Sequence, residues 1–289
     1  MNPGRQRGRA VTNIDWDKFL AFVMQNHKPK VARDLFSYGQ QFSDCLITKD
    51  FTRLQELRDS MRPNALRGLS ALSKFLGCHT EFMEIIRDYG LKWTGKSADD
   101  LVIERLTSVE EPDEIWTWIK EAKKARPDLT DFLDLMAYTG VRLVEAVDSY
   151  NLIIKLNAEK KLGTYYMQSN NTLEHFRFKE KFIRRSKKVF VSFVPAELIE
   201  TIVQRESLTS SDAVQKLLQK KGMRLRFGDI REAHATFMTK FLKKEEIDFL
   251  HGRVTSGVFM QHYFNPALIS DLKTRAFQGI AEIQEKVKI

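Results

Sequence analysis

The sequence predicts a mainly α-helical protein with one small antiparallel β-sheet, arranged as an N-terminal helical bundle followed by an α+β domain. Three observations carry this. Apolar residues recur at helical spacing over residues 13–91 with no strand signal among them. Residues 92–107 lose the long apolar stripes and bring in Gly, Ser and paired Asp. Segments rich in Tyr, Phe and Val appear only after residue 150. A length of 289 residues fits this division, since one domain takes roughly 100–200.

In chain order, residues 1–12 form a basic arm with three Arg and two Gly, expected to order only on meeting a partner. Trp16, Phe19, Leu20 and Val23 stand at i, i+3, i+4, i+7, and Leu35, Tyr38, Phe42 and Cys45 repeat the stripe. Further stripes are Phe51, Leu54, Leu57, Met61, then Ala65, Leu69, Leu72, Leu76 ended by Gly77, then Phe82, Ile85, Ile86, Tyr89. These make the bundle 13–91, with residues 92–107 as linker and 108–289 as the second domain.

There Glu111-Pro112 opens a helix with Ile115, Trp116, Trp118 and Ile119, and another with Leu129, Phe132, Leu133 and Met136 stops at Gly140. Strands are expected at 163–168, 174–182 and 188–194, the last two joined by a short connection over Ile183 to Lys187. Pro195 ends the sheet. Helices follow near 196–206, 210–221, 229–242 and 244–250, and Leu268, Leu272, Ala276, Ile280, Ile283 and Val287 mark a C-terminal helix over 267–288.

Composition narrows the function. No stretch approaches the ~20 apolar residues of a membrane span, and no apolar signal core follows the N-terminal arginines, so a soluble, unexported, cytoplasmic protein is expected. Two cysteines without metal-ligand spacing predict neither a disulfide framework nor a structural metal. There is no Gly-rich phosphate loop, and no cofactor is expected. A net charge of +9 and a pI near 9.4 favour an anionic partner. The charge concentrates between 177 and 188, where Arg177, Lys179, Lys181, Arg184, Arg185, Lys187 and Lys188 face one acid, Glu180, and interleave with Phe176, Phe178, Phe182 and Phe190. On a β-ribbon that alternation would turn the phenylalanines inward and the bases toward a DNA backbone. Lys216, Lys220, Lys221, Arg224 and Arg226 form a second basic cluster.

More specific is Tyr138-Thr139-Gly140-Val141-Arg142-Leu143-Val144-Glu145-Ala146. A glycine-ended helix followed at once by a helix start places Arg142 beside unpaired N–H groups, a setting for phosphate oxygens, although Arg142 could instead pair with Glu145. This box resembles the TGxRxxEa box of the tyrosine recombinases, and three later segments resemble that family in order. Arg184-Arg185-Ser186-Lys187-Lys188-Val189-Phe190 resembles its lysine hairpin, and Arg231 matches its second arginine. Leu250-His251-Gly252-Arg253-Val254, with Tyr263 ten residues beyond Arg253, resembles its last box, in the form found in archaeal viral and plasmid integrases.

The resemblance implies a two-domain clamp around double-stranded DNA. It also implies a site-specific recombinase working through a 3′-phosphotyrosyl intermediate, with Arg142, Arg231 and Arg253 on the phosphate, Tyr263 as nucleophile and Lys187, or Lys188, as proton donor. It implies four protomers in strand exchange, so the C-terminal stripe is read as docking on a neighbour in preference to packing in its own core. The family's His or Lys three residues before the second arginine is Gly228 here, leaving His234, His251 and His262 as candidates for that duty. Alternatives are relaxation of supercoils in the manner of type IB topoisomerases and a DNA-binding protein whose active site has decayed.

Overall fold

The computed structural model describes residues 14–27, 29–93, 97–107, 113–183, 188–208, 210–253 and 264–289. The chain divides into two units, residues 1–109 and 110–289, each around its own apolar core.

The first unit contains α1 (Trp16–Asn26), α2 (Pro29–Gln41), α3 (Ser43–Thr48), α4 (Thr52–Gln55), α5 (Arg62–Phe75), α6 (His79–Asp88) and α7 (Ala98–Thr107). Asp15 caps α1 by accepting the Lys18 N–H at 3.1 Å, and Phe19 and Val23 from the predicted stripe are fully buried. Helices α2 and α5 touch through glycines: a Cβ on Gly68 would lie 2.6 Å from the Gly39 nitrogen. Gly77, at φ +73°, follows α5 as the sequence predicts.

Two stripes are less regular than expected. The chain breaks at Phe42 between α2 and α3, and Phe51 to Met61 yields only the single turn α4. The cause of the second is Arg62, whose guanidinium donates to the carbonyls of Leu54, Gln55 and Leu57 at 2.9, 2.9 and 2.7 Å and holds this stretch as a turn. The stretch expected as linker, 92–107, holds the ten-residue helix α7. Its Ser and Asp are a helix start: the Asp100 N–H donates to Ser97 Oγ and the Ser97 N–H to Asp100 Oδ2, both at 3.0 Å. The basic arm and Glu111-Pro112 lie outside the described residues.

The second unit contains α8 (Glu114–Ala125), α9 (Thr130–Thr139), α10 (Leu143–Ala158), β1 (Tyr166–Met167), β2 (Thr172–Leu173), α11 (Lys179–Phe182), β3 (Ser192–Phe193), α12 (Ala196–Ile202), α13 (Ser211–Gln219), α14 (Phe227–Met238), α15 (Lys244–Leu250) and α16 (Leu272–Val287). Helix α9 is the axis: Asp131 to Thr139 are all buried, and α8, α10, α12, α14 and α16 pack around it. The sheet runs β1-β2-β3, antiparallel throughout, with Tyr166 opposite Leu173 and Thr172 opposite Phe193.

The strand predicted over 174–182 is corrected to a 3₁₀ turn at His175–Phe178 running into α11. Residues 175, 178 and 182 stand at i, i+3, i+7, and His175 belongs to the buried face that a count of apolar residues leaves out. Its ring is fully enclosed, Nδ1 2.7 Å from the Tyr165 hydroxyl and Nε2 2.9 Å from Ser192 Oγ, while the Tyr165 hydroxyl donates to Ser149 Oγ at 2.9 Å. Among the described residues, the first half of the expected basic β-ribbon is therefore helical and not a strand. An antiparallel bridge between Ile183 and Lys188 brackets residues 184–187.

The C-terminal stripe begins at Leu272, not Leu268, which is 80% exposed in a 3₁₀ turn opened by Pro266. Helix α16 packs in its own unit, burying Leu272, Ala276, Ile280, Ile283 and Val287 against α8, α9 and α14. Large apolar side chains buried in this way contribute roughly 1.5–3 kcal/mol each. The preference for docking on a neighbour is thus corrected: this face is already covered. Lys123, 2% exposed, fixes the helix end by donating to Asp134 at 2.5 Å and to the Val287 carbonyl at 2.8 Å. No helix among the described residues is long and apolar enough to cross a membrane.

Candidate active site

Helix α9 ends because Gly140 turns left-handed, at φ +59°, with its N–H returning to the Met136 carbonyl at 2.9 Å. Two residues on, Arg142 is the extended N-cap of α10. Its guanidinium does pair with Glu145: the carboxylate, 0% exposed, accepts from Arg142 Nη1 at 3.0 and 3.2 Å and from the Arg142 N–H at 3.1 Å. The pairing orients the arginine without enclosing it, since its side chain keeps 26% of its surface.

Arg231, on α14, is held by two backbone carbonyls. Nη1 donates to the Gly140 carbonyl at 2.9 Å and Nη2 to the His251 carbonyl at 2.6 Å. Burial lowers its pKa, as do the nearby charges of Arg142 and Arg253, to about 10, so it stays cationic in a crowded positive field. Arg253 follows α15; its N–H donates to the Asp248 carbonyl at 2.7 Å, and its guanidinium lies 3.9 Å from the Asp248 carboxylate with the side chain half exposed. Gly252 permits the turn between them at φ +64°, and a Cβ there would overlap the Lys188 carbonyl oxygen, 1.3 Å away. Phe190 and Phe249 stack at 5.9 Å beside this contact. The segment that leaves the 184–187 stretch is thereby pressed against the turn carrying Arg253. Lys187, His262 and Tyr263 lie outside the described residues, as do Arg184 and Arg185.

The histidines considered for the vacant acid–base position face inward. His234 and His251 are 2% and 0% exposed and meet each other, His251 Nε2 to His234 Nδ1 at 2.8 Å. Gly228 itself is exposed, and a Cβ there would meet nothing within 4 Å.

Arg142 at the start of α10, Arg231 within α14 and Arg253 after α15 are close enough for their charges to act on one another, and such a cluster of guanidiniums suits an anion. The profile of the archaeal phage integrase family matches residues 107–277, more than half of the chain. The chain belongs to the archaeal phage integrase family. The match spans Arg142, Arg231 and Arg253 and the elements that carry them, and membership assigns an integrase or recombinase role acting on DNA. No curated protein matches the chain.

Around this centre the basic residues divide. Lys179 and Lys181 are exposed on α11. Arg177 is exposed too, but pairs with Glu174 and lies over the Phe176 ring at 5.5 Å. Lys188 is half buried. In the second cluster Lys216, Lys220, Lys221 and Arg224 are exposed, whereas Arg226 is 5% exposed and bound to Glu114 and Asp229, a brace between α8 and α14 and not a surface charge. Sequence reasoning missed the clamp of Gly252 on Lys188 and the histidine pair. Gly252 had a signal, a glycine inside a basic, polar box. Each histidine was a candidate by itself, but their pairing had no signal, because nothing in the sequence brings them together until α14 and α15 are placed side by side.

Proposed function

We propose that the chain is a site-specific DNA recombinase that cleaves and rejoins strands through a 3′-phosphotyrosyl intermediate on Tyr263. The observation that carries this is the convergence of Arg142, Arg231 and Arg253, in a member of an integrase family. A phosphodiester repels nucleophiles, and attack places more charge on its non-bridging oxygens. Guanidinium forks already fixed by Glu145 and by the Gly140 and His251 carbonyls stabilise that charge with little reorganisation, and loss of one such donor costs about 10²–10³ in rate.

Tyr263 Oη forms the bond to phosphorus as it loses its proton, and the bond from phosphorus to the 5′ oxygen breaks. That oxygen takes a proton from Lys187, with Lys188 the alternative, and the phenolic proton restores the lysine through solvent. The phosphotyrosyl bond keeps the phosphodiester energy, so a 5′-hydroxyl of another strand can reverse the step with no external energy source. Arg177, Lys179 and Lys181, with Arg184, Arg185 and Lys188, hold the DNA backbone. Exchange of four strands calls for four sites, hence assembly to a tetramer on DNA.

A nicked duplex whose cleaved end diffuses away tests this. Wild-type protein should give a denaturation-resistant protein–DNA adduct joined at the 3′ side, and Tyr263→Phe none. An adduct that survives the substitution overturns the mechanism. The open position at Gly228 favours one second reading, a decayed site; tight duplex binding without any adduct would support it.

A further inference from the structure

His234 and His251 take no part in the chemistry above. His234 sits on α14 one turn beyond Arg231, and His251 ends α15 two residues before Arg253. Their hydrogen bonds fix the tautomers of the neutral pair. The Tyr138 carbonyl can only accept, so His234 Nε2, at 3.1 Å, is the donor. Neutral His234 then offers a lone pair at Nδ1, and His251 Nε2 donates to it at 2.8 Å. His251 Nδ1 is left as a lone pair with no donor, the one buried side-chain nitrogen or oxygen among the described residues that lacks a partner. A proton on either ring would add a buried cation beside Arg142, Arg231 and Arg253. Burial and these charges accordingly hold His251 far below the ordinary histidine range, and burial holds His234 at about 4.

The two rings occupy the space over Gly140. A Cβ there would lie 2.4 Å from His251 Nε2 and 2.6 Å from His234 Nδ1. Gly140 supplies one of the carbonyls that hold Arg231, and the backbone of His251 supplies the other. The pair thus joins the end of α9, through Tyr138 and Gly140, to the end of α15.

We propose that His234 and His251 are positioning residues for Arg231: a neutral clamp in a single tautomer that fixes the spacing of the Gly140 and His251 carbonyls and so aims the guanidinium, adding no charge to the cluster. The inference deepens the reading of Arg231 as a phosphate-holding residue and rests on it.

Side-chain ¹⁵N NMR on the full chain tests it without reference to activity. Both rings should be neutral, protonated at Nε2, and should not titrate between pH 8 and pH 5.5; the Arg231 N–H groups should exchange slowly with solvent. A ring that titrates in this range, or one protonated at Nδ1, overturns the proposal. His251→Gln keeps an N–H where Nε2 was, and His251→Leu removes it. Slow exchange at Arg231 should survive in the glutamine variant and be lost in the leucine one.

In single-turnover cleavage of the nicked duplex, His251→Leu should be slower by about 10²-fold, the scale of a misplaced catalytic group, with duplex affinity and the shape of the pH profile unchanged. His251→Gln should recover most of that loss. Equal rates in the two variants, or loss of binding in step with cleavage, would make the pair ordinary core packing. Wild-type protein that forms no adduct refutes the recombinase reading instead, and leaves the tautomers and the Arg231 exchange to decide the clamp.

Discussion

The two units solve the same packing problem with different materials. In the first, Ser73 is the single buried polar side chain among the described residues, and the core is Phe19, Phe42, Phe51, Phe82 and their leucine neighbours. In the second, Lys123, Asp134, Glu145, His175, Arg226, Arg231, His234, Glu246 and His251 are all buried, each with a named partner in the fold. Buried ionic groups contribute little to stability and can cost it. Of these, Glu145, His234 and His251 adjoin the arginines, Glu145 on Arg142 and the histidine pair beside the carbonyls that hold Arg231, while Lys123, His175, Arg226 and Glu246 tie the helices together elsewhere in the unit.

The largest test of that contrast is the Lys123–Asp134 pair. Lys123→Ala leaves a buried carboxylate whose pKa burial already raises, and removes the tie to the Val287 carbonyl. Denaturant unfolding should show a loss of about 3–5 kcal/mol, against about 1 kcal/mol for Ser73→Ala in the first unit. Comparable losses in the two units would remove the contrast.

Acid should also separate the units. His234 is held neutral by burial, at about 4 against an ordinary 6.5, and His175 at about 3. Between pH 6.5 and pH 4 the unfolded state binds more protons at these sites, so their contribution is complete above pH 6.5 and declines as the pH falls, by roughly 3 kcal/mol for His234 alone. Thermal scans across that range should show the second unit melting earlier with each step down, before most carboxylates titrate, and His175→Gln should flatten the trend. A melting temperature independent of pH over this window would contradict the buried-histidine account.

A pair of glycines sharpens the comparison further. Gly77 and Gly140 both end helices in left-handed geometry, but a Cβ at Gly77 meets nothing within 4 Å while one at Gly140 strikes the histidine pair. Gly77→Ala should cost about 1 kcal/mol, the penalty for leaving glycine at positive φ, and Gly140→Ala clearly more, with Arg231 displaced. The smallest effect belongs to the rim: Lys179→Ala should reduce the log–log salt slope of duplex binding by up to ~0.9 and leave cleavage of bound DNA unchanged.

The parts of this architecture that were legible in the sequence are those written in local periodicity and punctuation. The stripe of α1, the Gly77 and Gly140 stops, and the alternation of helix and turn after Pro195 all rest on contacts within a few residues. Failures came where a long-range polar contact overrules the local pattern. Arg62 converts a helical stripe to a turn by binding three carbonyls, and His175 converts an apparent strand to a helical turn by burying an imidazole. At the site, Arg142 and its partner Glu145 were visible three residues apart, whereas the carbonyls that hold Arg231 lie 91 and 20 residues away in sequence and cannot be inferred from spacing.

On the proposed mechanism, arginines fixed for chemistry are distinct from lysines exposed for holding. The most direct measurement of that separation takes duplex affinity and single-turnover strand cleavage on the same Arg142→Ala protein. Affinity within about threefold of wild type and cleavage reduced by about 10² or more is the predicted outcome. If both fall together and by the same factor, Arg142 is one more backbone contact, and the fixed centre and the exposed rim are a single electrostatic surface.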